Sequence, residues 1–122
     1  MKLYYFDIYG RAEPARLLLT HSGVEFEDAR LTGEEFGALL GEEGKVKYGQ
    51  LPLLERDGRF YAQTHAILRY LGGSLTSPSG STYYPEDLEL RARTDELLSL
   101  IYDDFFSKIL STLFLAKTDD ER

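Results

Sequence analysis

Two tyrosines stand side by side in the opening run Lys2-Leu3-Tyr4-Tyr5-Phe6. A phenolic hydroxyl in that setting either packs and bonds the backbone, or reaches a cleft and donates a hydrogen bond to a reacting anion. Alternate residues of a strand face opposite sides of a sheet, so only one of the pair can serve a given site. Gln63-Thr64 stands just before the apolar helical run Ala66-Ile67-Leu68-Arg69-Tyr70-Leu71. The free N–H groups and the positive dipole end of a helix N-terminus make an anion site, to which the Thr64 hydroxyl can add a donor while also capping the helix. His65, a lone histidine at the same helix start, reads as a surface residue and is left outside the site. The chain contains no Cys, which removes disulfides, Cys-based zinc sites and any CxxC redox pair. Any thiol chemistry must therefore use a thiol carried in by a ligand.

The elements that must hold these residues follow from local pattern. Residues 2–6 are a short β-prone run, Asp7-Ile8-Tyr9-Gly10-Arg11 is a loop, and Ala12-Glu13-Pro14 opens an amphipathic helix reaching about Ser22-Gly23. Val24 to Arg30 suits a second strand, and Gly33 to Gly44 is an acidic, weakly helical segment. Leu51 to Arg56 and Arg59 to Ala62 flank Asp57-Gly58, a strong hairpin signal. Gly72-Gly73 is expected to end the helix that Thr64 begins. The order βαβ then ββα argues for an α/β fold, a four-stranded mixed sheet of thioredoxin-like arrangement over residues 1–73. Residues 74–85 are rich in Ser, Pro and Gly and read as a linker. From 86 onward, Leu90, Leu97, Leu98, Ile101, Phe105, Phe106, Ile109, Leu110, Leu113 and Phe114 recur at helical spacing. A helix of about 30 residues would be about 45 Å long, and its apolar stripe needs helices from elsewhere. The tail, residues 117–122, reads as solvated.

Composition narrows the function classes. A chain of 122 residues suits one compact core, by the prior of about 100 to 200 residues per domain. Its 14 Lys+Arg against 21 Asp+Glu give a net charge of −7. The basic surface that supplies most nucleic-acid affinity is missing, so DNA, RNA and anionic membranes are poor partners. With 43% hydrophobic and 29% charged residues the composition is globular, and no apolar run suggests membrane insertion. The start has neither the apolar stretch of a signal peptide nor the Arg/Ser richness of a transit peptide, so a cytoplasmic location is expected.

Three features now stand in order: Leu3 to Arg16 with its Tyr5-Phe6 and Gly10-Arg11-Ala12-Glu13-Pro14, Tyr48-Gly49-Gln50-Leu51-Pro52-Leu53-Leu54, and Gln63 to Leu71. Together they resemble the N-terminal half of cytosolic glutathione transferases, particularly the sigma, mu and pi classes with a catalytic tyrosine. The resemblance covers residues 2–72 and continues into the first helix of the family's second, all-helical domain, which would start at residue 86 and be incomplete here, as in a fragment or a natural short form.

The resemblance implies that Tyr5 is the catalytic tyrosine, which stabilises the thiolate of bound glutathione for attack on a small electrophile. It implies that Arg11 helps place the catalytic hydroxyl or glutathione, that Gln50 contacts glutathione, and that Leu51 pairs with its cysteinyl part before a cis Pro52. Gln63 and Thr64 take the place of the pair that holds the γ-glutamyl carboxylate. Asp103, or Asp104 beside it if the alignment slips by one, resembles the acid that reaches the γ-glutamyl ammonium on the adjacent subunit of a homodimer. Two departures stand out. Asp7 and Tyr9 differ from some relatives. The Trp and Lys that usually hold the glycyl carboxylate are also missing, since the Lys position falls on Glu43 and the chain has no Trp. Lys45 or Lys47 is expected to supply that charge and Phe36 the apolar contact. The implied co-substrate is glutathione, with no metal. The competing reading is a non-catalytic structural subunit that keeps the fold and docks into a larger protein assembly through its long apolar helix.

Overall fold

In a computed structural model that describes residues 1–119, strand β1 (Lys2–Phe6) lies inside a mixed sheet. It pairs in parallel with β2 (Glu27–Leu31) and antiparallel with β3 (Leu53–Arg56), which pairs antiparallel with β4 (Arg59–Ala62). The order is β2-β1-β3-β4, the four-stranded sheet expected of a thioredoxin-like α/β fold. Asp57 and Gly58 both take positive φ, 52° and 71°, as the two-residue turn between Arg56 and Arg59 requires. Helices α1 (Glu13–His21), α2 (Gly33–Leu40) and α3 (Thr64–Ser74) complete this part. The chain divides into two compact units, Met1–Tyr83 and Tyr84–Arg122.

Strand alternation sorts the core of the first unit. Tyr4 and Leu53 lie with Leu39 of α2 in one buried cluster, joined by Leu31, Val46, Leu51 and Phe60. Leu3 and Tyr5 are turned to the other face by the period of two. The inner residues of α1 and α3, Ala15, Leu19, Ile67 and Leu71, are each at most 1% exposed. Burial of each large aliphatic side chain contributes about 1.5 to 3 kcal/mol, so the fully buried Leu3, Leu19, Leu54 and Ile67 fix where β1 sits and with it Tyr5.

Several boundaries differ from the sequence expectation. Strand β2 begins at Glu27 rather than Val24, where the parallel ladder to Lys2 starts. A 3-10 turn, Gly10–Ala12, precedes α1. Helix α2 carries a complete capping box, with Thr32 accepting from the Glu35 N–H and the Glu35 carboxylate accepting from the Thr32 N–H. Thr64 does not cap α3: it is the first helical residue, and Gln63 is the N-cap, without a side-chain cap bond. Gly72-Gly73 does not stop α3, which runs on to Ser74. Gly72 is buried, its carbonyl accepts from the Tyr83 N–H at 2.9 Å, and the Ser74 hydroxyl accepts from Arg56 at 3.0 Å. Residues 74–83 are tied to the first unit by those bonds, by the Thr76–Thr82 bridge, and by Tyr83, whose hydroxyl lies 2.6 Å from Nδ1 of His21.

In the second unit, Asp87 caps α4 (Leu88–Ser99) by accepting from the Leu90 N–H at 2.9 Å, and the Tyr84 hydroxyl donates to Asp95 at 2.9 Å. The helical run expected from residue 86 continues to Asp119, but Leu100–Phe105 is a π-helical turn before α5 (Phe106–Asp119). There the Phe106 N–H bonds the Ile101 carbonyl and Ser107 Oγ donates to the Tyr102 carbonyl at 3.1 Å. Leu97, Ile101, Phe105, Ile109 and Leu113 are exposed at every fourth position. The Phe114 side chain and the tail residues 120–122 lie outside what the structure describes. No described helix is long and apolar enough to cross a membrane.

Candidate functional site

At the end of β1, beside the start of α3, lies a cleft of about 470 Å³, in the size range of small-molecule sites. It is lined by Phe6, Arg11, Phe36, Gly49, Gln50, Leu51, Pro52, Gln63 and Thr64, which come from the β1–α1 loop, α2, the loop before β3, and the start of α3. Among these lining residues Arg11 alone carries a formal charge, so the cleft favours an anion within a chain of net charge −7. Thr64 is 8% exposed at the first position of α3, where N–H groups have no intrahelical acceptor. Gln63 adopts φ 73°, ψ 124°, a conformation costly for any residue with a side chain, and its Nε2 donates to Gln50 Oε1 at 3.4 Å. That bond ties the two sides of the cleft together. The Leu51–Pro52 bond is cis, as the resemblance implied.

Tyr5 sits just behind this lining, 7% exposed. Its ring lies 5.6 Å from that of Phe6, and its hydroxyl accepts the Arg11 N–H at 3.1 Å. That bond uses a lone pair of the oxygen, so the O–H keeps its own proton to donate. Tyr4 has no such freedom. Its hydroxyl donates to the Glu55 carboxylate at 2.5 Å on the other face of the sheet, and burial, reinforced by that bond and charge, pushes its pKa well above the ordinary tyrosine value. Tyr4 therefore stays protonated with its proton committed to Glu55.

The structure thus brings Arg11, Gln50, Leu51, Pro52, Gln63 and Thr64 around one cleft with Tyr5 next to it. Phe36 lines the cleft with its ring edge-on to Phe6 at 5.4 Å. Lys45 is not brought there: its ammonium pairs with Glu42 and lies 5.7 Å from the ring centroid of Phe60, a residue of the Tyr4 cluster. Lys47 lies over the Tyr48 ring instead. Asp103 is an exposed residue of the π-helical turn in the second unit. Phe6 and Gly49 line the cleft without having been singled out. Phe6 could have been read from its place at the strand end beside Tyr5. Among the described residues no group of three or more His, Asp or Glu is arranged to hold a metal ion.

The profile of the family described as glutathione S-transferase, N-terminal domain, matches residues 1–73. This chain belongs to that family. Over 71 residues it is 55% identical to glutathione S-transferase 1 of Ascaris suum, covering 58% of this chain and 33% of that one. Its fold is similar to that of the monomeric glutathione S-transferase Na-GST-3 of the hookworm Necator americanus, with a TM-score of 0.79 at 33% identity, over 95% of this chain and 52% of that one. It is also similar to prostaglandin synthase D of Nilaparvata lugens, with a TM-score of 0.70 at 32% identity, over 90% of this chain and 50% of that one. The chain therefore spans about half the length, or less, of these relatives. The family uses glutathione as a co-substrate, and the glutathione S-transferase N-terminal domain matched here contains every residue lining the cleft.

Proposed function

We propose that the chain is the glutathione-binding part of a cytoplasmic glutathione transferase, in which the Tyr5 hydroxyl stabilises the thiolate of bound glutathione for attack on a small electrophile. The observation that carries this reading is the Tyr5 hydroxyl, held by the Arg11 N–H beside an anion-favouring cleft. Glutathione brings the thiol that a chain without Cys lacks. Its γ-glutamyl carboxylate meets Thr64 and the N–H groups of α3, its cysteinyl backbone runs beside Leu51, and Gln50 and Arg11 bound the rest. Residues 1–73 form this thioredoxin-like domain, and residues 86–122 open an all-helical one. A cleft that gathers Arg11, Gln50, Leu51, Gln63 and Thr64 is more than a purely structural subunit needs, which favours the catalytic reading over the docking one.

Calorimetric titration of glutathione tests the binding step. Valine matches the shape of Thr64 without its hydroxyl. A hydrogen bond to a charged group contributes about 1.5 to 3 kcal/mol, so Thr64→Val is expected to weaken binding about ten- to hundredfold. No heat of binding from the unaltered chain would overturn the reading and leave the structural subunit. In a homodimer, Asp103 of one subunit would face the γ-glutamyl ammonium bound by the other. Asp103→Asn is then expected to weaken glutathione binding while sedimentation still reports a dimer. A monomer at all concentrations, the state named for Na-GST-3, would remove this role from Asp103.

A further inference from the structure

Arg16 is 5% exposed, on the inner face of the first helical stretch with Ala12, Ala15 and Leu19. Its guanidinium faces the loop that leaves β1. One terminal nitrogen donates to the Ile8 carbonyl at 2.8 Å and lies 3.3 Å from the Tyr9 carbonyl, and the other reaches the Phe6 carbonyl at 3.4 Å. Two carboxylates hold the guanidinium in turn, Asp28 of β2 at 2.9 Å and Glu13 at 3.1 Å. Arg30 bonds both Asp28 at 2.8 Å and Asp7 of the same loop at 2.7 Å, so the loop is tied to β2 twice. Burial alone would raise the Asp28 carboxyl, but the bonds from Arg16 and Arg30 outweigh it and hold it below the usual carboxylate value.

We propose that Arg16 is a positioning residue for Tyr5: it fixes the carbonyls of Phe6, Ile8 and Tyr9, and through them the Gly10–Arg11 turn whose N–H meets the Tyr5 hydroxyl. A buried ion pair contributes little net stability over an apolar filling of the same volume, so stability alone gives little reason for a charge at this place. A planar fork bonding several carbonyls at once is a geometric device, and lysine, with a single flexible ammonium, cannot reproduce it. Tyr5 stands next to the last residue of β1, and the sheet ladder ends at Phe6, paired with Leu31. Beyond it the Ile8 and Glu13 N–H groups bond the Phe6 and Tyr9 carbonyls at 2.8 and 3.1 Å, and the Arg16 fork adds the Ile8 carbonyl and gathers all three on one rigid group.

The proposal rests on the reading of Tyr5 above, and two measurements separate the two ideas. The first needs no glutathione. In Arg16→Lys, hydrogen exchange at the Arg11 amide is expected to accelerate about tenfold or more, while the β3–β4 amides keep their protection. The second is the pKa of the thiol of bound glutathione, expected to rise by about one unit in Arg16→Lys but by nothing further when Tyr5→Phe is already present. Asp28→Asn, which keeps the fork and removes one of its anchors, is expected to move both readouts in the same direction by less, and decides the matter if Arg16→Lys fails to fold. Unchanged Arg11 exchange, or a thiol shift that adds in full to that of Tyr5→Phe, would overturn the positioning role. A Tyr5→Phe variant with an unmoved thiol pKa, or a chain that binds no glutathione, would sink the Tyr5 reading, while Arg11 exchange would still report on the loop.

Discussion

Tyr5→Phe is expected to raise the pKa of the thiol of bound glutathione by roughly one to two units and to slow thiolate attack at neutral pH about ten- to hundredfold. A hydroxyl that donates to a thiolate favours the charged form, and a bond to a charged group is worth about 1.5 to 3 kcal/mol, at about 1.36 kcal/mol per pKa unit. A free thiol titrates near pH 8.5, so a drop of that size brings a substantial thiolate fraction to neutrality, and losing the bond reverses it. Glutathione affinity should change little, because the hydroxyl is one contact among those of the α3 N-terminus and the Leu51 backbone. Tyr4→Phe is the informative comparison. It removes a bond to Glu55 on the opposite face, which costs stability on the order of 1 kcal/mol and leaves the thiol alone. Ultraviolet titration of the thiolate in both variants distinguishes them, and equal shifts would mean that neither hydroxyl reaches the sulfur.

The choice between the two tyrosines shows what the sequence can and cannot deliver. Alternation alone placed them on opposite faces, and the fold bears that out: Tyr4 lies with Leu39 and Leu53, and Tyr5 meets Gly10 and Arg11. Local chemistry also made the hairpin legible, because Asp57-Gly58 accepts the positive φ that a two-residue turn demands. Where local and distant preferences compete, the sequence misleads. Gly72-Gly73 looks like a helix stop, yet α3 continues to Ser74, because Arg56 and Tyr83, far away along the chain, satisfy its last turn. Residues 74–83 have a linker's composition, but His21, from the distant end of α1, stacks edge-on against Tyr83 and bonds it.

In the site itself, positions that adjoin a regular element are legible in the sequence. Thr64 and Gln63 follow from the start of α3, and Pro52 from the turn before β3. Lys45 sits in an irregular segment, where spacing cannot tell which way the ammonium turns, and the nearby Glu42 carboxylate captures it. Arg16 had a signal that periodicity could have revealed. A charge at the spacing of Ala12, Ala15 and Leu19 falls on a buried face, where it must have partners. What periodicity cannot reveal is that those partners are three carbonyls of the loop that carries the hydroxyl's neighbour.

That loop yields the sharpest steric test of the site. Gly10 has φ +45°, and a Cβ placed on it would lie 2.7 Å from the Tyr5 hydroxyl oxygen and 2.9 Å from ring carbon Cε1. Neither side can yield cheaply, since the Tyr5 ring is 7% exposed and the loop is held by Arg16. Gly10→Ala must therefore push the hydroxyl aside or lift the turn, and either movement breaks the bond from the Arg11 N–H. The expected result is a loss of about 1 to 3 kcal/mol in stability together with a thiol pKa raised toward that of Tyr5→Phe. Gly23 separates backbone strain from steric displacement. It too has positive φ, 71°, but a Cβ there meets nothing within 4 Å. Gly23→Ala should cost only the left-handed strain, on the order of 1 kcal/mol, and leave the thiol titration unchanged. Denaturant melts and thiolate titrations of the two variants give the answer. If Gly10→Ala titrates like Gly23→Ala, the hydroxyl does not depend on the turn, and the close approach of Gly10 to Tyr5 serves packing alone.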